Sequence, residues 1–437
     1  MSSLFDKNEY KPRIIDKIVD EYLESCGAIC IEGPKWCGKT WTSAFHSNSE
    51  FFVGDPNNNF SNRELAKLNP SMVLKGKSPR MIDEWQEVPE LWDATRAEVD
   101  KSNKYGIIIL TGSSTPKNKG IMHSGAGRIV NLRMNTMSLY ESNDSSGIIS
   151  LHDILNGKLE DQMLEDVSLE RLAYLIVRGG WPKNINTKNY YISPKSYYQK
   201  IVDSKLDDNN DFTFSKDKIE LILKSLARNE STTISINKMA NDIIDYDGKA
   251  ISPDTVARYI EKLDRMFLFN NQLPYFNNVR SSLRVKGAIK RHFFDPSLTC
   301  AILDLNEKKL FNDLNTFGFL FEALVERDLS IYAMANNAKL YHYQDYNDNE
   351  IDAVIELDDG SWCGFEIKLG AKSIDEAASN LIRINSKIIN NGGKGAKVLC
   401  VICGLINAAY KRKDGVFVVP ITALKDWYNT QKHLGLF

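Results

Sequence analysis

Hydrophobic positions along this chain fall into three successive regimes. From Lys11 to Ser25, Ile14, Ile15, Ile18, Val19, Tyr22 and Leu23 recur at helical spacing behind Pro12. This predicts an amphipathic helix whose apolar stripe packs on neighbouring structure. Short unbroken apolar runs follow: Ala28-Ile29-Cys30-Ile31, Met81-Ile82 and the YGIIIL stretch at 105–110. Runs without alternation mark strands covered on both faces, so this part predicts an α/β domain with a parallel sheet. Between residues 217 and 276 the period becomes helical. DKIELILKSLARN and SINKMANDI lead to a helix in which Val256, Tyr259, Ile260 and Leu263 share one face, with Ser252-Pro253 at its start. The last third, from Phe317, predicts a helix, strands KLYHYQ, EIDAVIEL and SWCGFEIKL, a helix AASNLIRINSKII, and strands KVLCVICGLI and VFVVP.

The first apolar run leads into Gly33, Pro34, Lys35, Trp36, Cys37, Gly38, Lys39, Thr40 and Trp41, which contain the P-loop pattern G-x-x-x-x-G-K-[ST]. Glycines let backbone N–H groups close around phosphate, Lys39 reaches the β/γ oxygens, and Thr40 offers a hydroxyl to Mg²⁺. A helix starting at Gly38 adds its positive end. ATP and Mg²⁺ are the ligands this chemistry implies. Asp83-Glu84, after Met81-Ile82, supplies what a Walker B site needs: Asp83 for the Mg²⁺ shell and Glu84 to polarise the attacking water. At the end of YGIIIL, Thr111 and Ser113 are candidates to sense the γ-phosphate. Arg128, before a further predicted strand, is a candidate arginine finger acting in cis or in trans.

Composition bounds the rest. At 437 residues, 43% hydrophobic and 26% charged with a net charge of −2, the chain is an ordinary globular one of several domains. No global basic excess points to nucleic acid, so any DNA contact has to come from a local patch. Seven cysteines without a signal peptide or long apolar span indicate a reducing, cytoplasmic setting and no membrane partner. Cys400 and Cys403 fall in an apolar run, where an offset of three sends side chains to opposite faces and favours a buried strand over a metal pair. The six histidines show no metal spacing.

The order Tyr10-x-Pro12-Arg13-Ile14, GPKWCGKTW, MIDEWQEVPELWD, ILTGSS, GAGRI and MSLYES resembles the AAA-type ATPases of bacteria and archaea that carry a restriction-endonuclease-like C-terminal domain of uncharacterised function. The resemblance extends along nearly the whole chain. It implies a P-loop ATPase module in the first half, with Gly33 to Thr40, Asp83, Glu84 and the TGS turn at the nucleotide. IVRGGWP at 176–182 belongs to the same resemblance, and its Gly179-Gly180 predicts a turn with a close backbone approach.

Within the last third, Asp352 in one strand and Glu366-Ile367-Lys368 in the next match the PD-(D/E)xK nuclease pattern, with Ile351 in place of the proline. Carboxylates on neighbouring strands can share a Mg²⁺ or Mn²⁺ ion, and residues two apart put Lys368 beside Glu366 and the attacking water. Glu322 on the preceding helix is a candidate to complete the site. In the middle, three helices and a hairpin suggest a winged helix, with Arg258, Lys262 and Arg265 as possible groove contacts. Arg284, Lys286, Lys290 and Arg291 make the densest positive stretch and the better DNA candidate.

The expected organisation is a P-loop NTPase parallel-sheet domain (1–145), a helical connector (146–215), a winged-helix-like middle (216–295) and a restriction-endonuclease-like α/β domain (296–437). DDNND at 207–211 serves as a linker. The expected function is Mg²⁺-dependent ATP hydrolysis coupled to double-stranded DNA, with a homo-oligomer as one form of assembly. The alternative is a nucleotide-switched scaffold whose nuclease-like domain is silent.

Overall fold

The computed structural model describes residues 5–114, 124–204, 214–243, 248, 250–276, 287–345, 347 and 349–427. Arg284, Lys286 and the 207–211 linker lie outside the described residues. The chain divides into two compact units, one built from residues up to Thr136 with Asp264–Leu268, the other from Met137–Leu263 and Phe269–Asn429.

In the first unit the apolar runs become a five-stranded sheet. Its strands are β1 (Ala28–Glu32), β2 (Ser49–Phe52), β3 (Arg80–Asp83), β4 (Ile108–Gly112) and β5 (Ile129–Arg133), ordered β2-β3-β4-β1-β5. Every pairing is parallel. The YGIIIL strand starts later than its apolar run, because Gly106 turns at φ +60° and its N–H donates to Cys26 O at 2.8 Å. Cys30, Ile82 and Leu110 from three adjacent strands pack with Trp85, Leu91 and Trp92. The placement of β4 between β1 and β3 has the main functional consequence: the strand carrying Thr111 runs between the P-loop strand and the acidic strand.

Ahead of β1 the helix Ile15–Ser25 forms as its periodicity predicts. Its first turn is tied to the helix Lys39–Phe45: Tyr10 Oη donates to Asp16 Oδ1 at 2.6 Å and lies 2.9 Å from Thr42 Oγ1. His46 sits between Asp16 (3.2 Å) and Asp20 (2.8 Å). Burial pulls the His46 pKa down, but hydrogen bonds to and the charges of the two carboxylates outweigh it and raise the pKa to about 9. Since the folded value lies above the unfolded one, near 6.5, this contribution is full below about pH 6.5 and is lost as pH rises to about 9. The P-loop domain should therefore lose up to about 3 kcal/mol across that window. Thermal melts of wild type and His46→Ala check it: the variant should show a flatter dependence of Tm on pH between those limits.

In the second unit a nine-stranded sheet runs β7-β14-β15-β13-β12-β11-β10-β8-β9. The strands are β7 (Gln162–Met163), β8 (Phe269–Pro274), β9 (Lys290–Phe293), β10 (Lys339–Gln344), β11 (Glu350–Glu356), β12 (Trp362–Gly370), β13 (Val398–Leu405), β14 (Ala408–Lys411) and β15 (Phe417–Pro420). A separate pair joins β6 (Ile149–Ser150) to β16 (Leu424–Lys425). With the helices Leu314–Ala335 and Ile374–Asn390, the C-terminal third follows the expected α-β-β-β-α-β order. β10, β11 and β12 pair antiparallel in succession, and β12 pairs parallel with β13. Trp362, Leu381, Ile384 and Val401 centre one face of its core.

Helices Lys216–Arg228, Ile236–Asp242 and Pro253–Asp264 precede the antiparallel strand pair β8–β9, and Thr232 bridges to Arg291. That pair is also part of the large sheet, because β8 pairs with β10 through Leu273↔Tyr341. The GGWP turn is a packing junction. Met137 N–H donates to Gly180 O at 2.7 Å, Gly180 N–H to Asp295 at 2.9 Å, and Trp181 Nε1 to Ser297 Oγ at 2.9 Å. A Cβ on Gly180 would stand 2.1 Å from Met137 O, so only glycine allows this approach.

Candidate functional site

The P-loop leaves β1 at Gly33, where a Cβ would lie 2.4 Å from Met134 O. Trp36 then takes a left-handed φ of +69°, which curls the loop, and Gly38 at +113° opens the helix Lys39–Phe45. Gly33, Pro34, Cys37 and Lys39 are buried, Gly38 and Thr40 half-buried, and Lys35, Trp36 and Trp41 exposed. Lys39 Nζ donates to Pro34 O at 2.8 Å, folding the ammonium over the loop. Arg13 braces the loop from outside, donating to Cys37 O at 2.9 Å and to Asn135 O at 2.7 Å. Sequence reasoning gave Arg13 no role; its place in the Tyr10-x-Pro12-Arg13 string was the available signal.

The acidic strand supplies the facing groups. Asp83 Oδ1 accepts from Thr40 Oγ1 at 3.0 Å and from Thr111 Oγ1 at 2.6 Å. Burial raises the Asp83 carboxyl above its usual range, while Thr111 and Thr40 partly offset this. A hydroxyl and a carboxylate in contact are the donor set Mg²⁺ takes from protein when phosphate and water complete its shell, so Thr40 and Asp83 fit the ion. Glu84 departs from the strand at φ +56°, which throws its side chain toward the end of β4. There Ser113 Oγ donates to Glu84 Oε2 at 2.9 Å, and Gln86 Nε2 donates to the same oxygen. Gln86, two residues beyond Glu84 in the 3-10 turn Trp85–Glu87, was missed by the sequence reading.

Arg128 corrects an expectation. It precedes β5 at the end of the sheet where β1 begins, and its carbonyl accepts from Ala28 N–H at 3.0 Å. The P-loop follows the opposite end of β1, five residues or about 16 Å away at ~3.3 Å per residue. Its guanidinium pairs with Asp100 at 2.8 Å. Arg128 is therefore not a finger for its own P-loop.

In the second unit Asp352 on β11 and Glu366 and Lys368 on β12 converge. Lys368 Nζ lies 2.7 Å from Glu366 and 3.3 Å from Asp352, and Ile367 N–H donates to Asp352 Oδ2 at 2.7 Å. Asn380, from the helix Ile374–Asn390, donates to Glu366 Oε1 at 2.9 Å, another contact the sequence did not announce. Burial and then Asp352 push the Glu366 carboxyl up to about 8. Against burial, Lys368 and Lys290 hold Asp352 below its usual range. Among the described residues no three histidine, cysteine or acidic side chains are arranged to hold a metal ion. The two carboxylates suit a divalent cation in type, but an ion there has to displace the Lys368 ammonium.

Lys290 and Glu322 are a second correction. Lys290, expected in an exposed DNA-binding stretch, is 5% exposed on β9, pairing with Glu322 and lying 3.3 Å from Glu326. Period-two alternation on a sheet covered by the helix Leu314–Ala335 turns it inward, where only buried carboxylates offset its charge. Glu322 is thereby engaged by Lys290 rather than standing open beside Asp352. Arg291 is half-buried and donates to Ile234 O at 3.2 Å. On the helix Pro253–Asp264, Arg258 is exposed and Lys262 half-buried, and half-buried Arg265 follows its end. Replacing Lys290 by alanine should cost about 3–5 kcal/mol, the scale of leaving a buried charge unpaired, while leaving the salt dependence of any DNA binding unchanged. Denaturant melts and binding titrations at several salt concentrations measure both.

Residues 26–143 match a family model described as an AAA domain. Over this stretch the chain is similar to AAA domains, in keeping with its P-loop and its parallel five-stranded sheet. Residues 169–309 and 317–424 match two models, each described as a domain of unknown function (DUF8612 and DUF4143). Uncharacterized proteins of Mycobacterium bovis and Mycobacterium tuberculosis are each 23% identical over 352 residues, covering 79% of this chain and 71% of theirs. Among solved structures, the Walker-type ATPase PABY2304 of Pyrococcus abyssi is 13% identical at a TM-score of 0.37, covering 69% of this chain and 96% of that one. The replication initiator DnaA bound to AMPPCP and single-stranded DNA is 15% identical at 0.26, covering 57% and 86%. Among the described residues no helix is long and apolar enough to cross a membrane.

Proposed function

We propose that this protein hydrolyses ATP with Mg²⁺ and couples turnover to the binding or processing of double-stranded DNA, in repair, mobile-element control or defence. The observation that carries the ATPase reading is the meeting of Thr40 with Asp83, and of Ser113 with Glu84, at the mouth of the P-loop. In this reading Lys39 turns from Pro34 O to the phosphates, Thr40 and Asp83 hold Mg²⁺, and Glu84 takes the proton of the attacking water. Bound Mg²⁺ neutralises charge on the phosphates. Arg128, exposed at the far edge of the sheet, acts in trans if the chain assembles into a homo-oligomer.

The DNA arm has two supports: the converging Asp352, Glu366 and Lys368 within an α-β-β-β-α-β segment, and three helices followed by an antiparallel strand pair, as in a winged helix. A second reading, a nucleotide-switched scaffold with a silent nuclease-like domain, is favoured by the ion pairing that already occupies both carboxylates. ATPase rates without DNA and with single- or double-stranded DNA, alongside mass by light scattering, test the proposal. Stimulation by duplex DNA supports it; turnover indifferent to both DNAs favours the scaffold.

A further inference from the structure

We infer that Gln86 is a positioning residue for ATP hydrolysis, holding the Glu84 carboxylate through its amide N–H so that the other carboxylate oxygen is left for the attacking water. This rests on the ATPase reading above. The geometry begins with Glu84, whose left-handed backbone at φ +56° takes it out of the strand. Trp85 is buried against Trp92, ring centroids 4.8 Å apart, and this anchors the 3-10 turn that brings Gln86 back over the carboxylate. Gln86 Nε2 donates to Glu84 Oε2 and stands 3.3 Å from Ser113 Oγ, which itself donates to Oε2 at 2.9 Å.

Both donors therefore fall on one carboxylate oxygen. Among the described residues no donor reaches Glu84 Oε1. The orientation of the amide follows from chemistry, since an ionised carboxylate accepts only and must face the NH₂ rather than the carbonyl. The Gln86 carbonyl oxygen is consequently directed elsewhere, and it is buried without a hydrogen-bond partner. Gly112 lets the turn pack this closely on β4, since a Cβ there would stand 3.2 Å from Gln86 Oε1 and 2.9 Å from Trp85 Nε1.

Glu84 Oε1 is thereby left to accept a hydrogen of the attacking water, which presents its lone pair to the γ-phosphorus. The water oxygen–phosphorus bond forms and the bond to the β,γ-bridging oxygen breaks, its electron pair leaving with ADP. The proton goes to Glu84 and then to the released phosphate. Gln86 takes no proton; it fixes Glu84 against rotation, and with it the angle at which the base meets the water, an orientation effect.

The test compares full-length wild type with Gln86→Leu, which keeps the bulk of the side chain, and Gln86→Glu, which replaces the donor by an acceptor facing Glu84. Steady-state kinetics, binding of a fluorescent N-methylanthraniloyl ATP and thermal melting are measured on each. We expect kcat to fall about ten- to a hundredfold in both variants. KM, nucleotide affinity and melting temperature should stay within about twofold or unchanged, a split that a merely structural role does not give. Wild-type kcat in Gln86→Leu overturns the inference alone, as does a loss of affinity or melting temperature in step with kcat. Absence of ATP turnover by wild type, with and without DNA, overturns both it and the ATPase reading.

Discussion

Glu84→Gln is expected to bind ATP as tightly as wild type and to hydrolyse it roughly 10²–10⁴ times more slowly, the scale of losing a positioned base. The variant keeps the shape of the side chain and its contacts to Ser113 and Gln86, but an amide cannot take the water's proton. Lys39→Ala separates binding from chemistry. Lys39 is the buried ammonium of the loop, resting on Pro34 O. Its removal should weaken nucleotide binding itself. Equilibrium binding of a fluorescent ATP analogue and single-turnover hydrolysis distinguish the two. Wild-type turnover by Glu84→Gln would remove Glu84 from its role, and unchanged binding by Lys39→Ala would remove the P-loop from the site.

The second large effect concerns the C-terminal cluster. Asp352→Ala should abolish both Mn²⁺ binding and duplex cleavage, whereas Lys368→Ala should keep the metal and lose cleavage, because the carboxylates survive while the ammonium beside the water is gone. ATP hydrolysis should persist in both, since Lys39 and Glu84 belong to the other compact unit. Calorimetric titration with Mn²⁺ and plasmid nicking provide the readouts. Burial and then Asp352 raise the Glu366 carboxyl to about 8, so a proton competes with a metal ion for it less as pH rises. Metal affinity should therefore rise between about pH 7 and 9. Neither metal heat nor nicking in wild type, with or without ATP, would make the domain a silent fold used for recognition.

The local parts of both sites were legible in the sequence because each is a short-range pattern. The P-loop is eight consecutive residues, Asp83 ends an apolar run, and Glu366 and Lys368 share a face because strands alternate with period two. KLYHYQ, read from the sequence as a strand, is β10 residue for residue. Turn geometry was less legible: Glu84 and Trp36 adopt left-handed conformations that neither residue type signals, and Gln86 meets the Glu84 carboxylate only through the turn that Glu84 begins.

Sequence by itself determined which elements form and which residues are candidates for phosphate, metal and proton chemistry, since these depend on periodicity and on the identity of neighbours in the chain. Tertiary structure decided which way the charges face. Arg128 is adjacent in sequence to a strand of the nucleotide sheet but lies at the wrong end of it, because parallel strands put every βα turn on one edge and every αβ turn on the other. Lys290 belongs by sequence to a basic stretch, but pairing of β8 with both β9 and β10 brings it into a sheet beneath the helix Leu314–Ala335, where Glu322 and Glu326 neutralise it. Strand order and sheet membership come from long-range pairings whose energy is spread over many residues, so no short pattern encodes them.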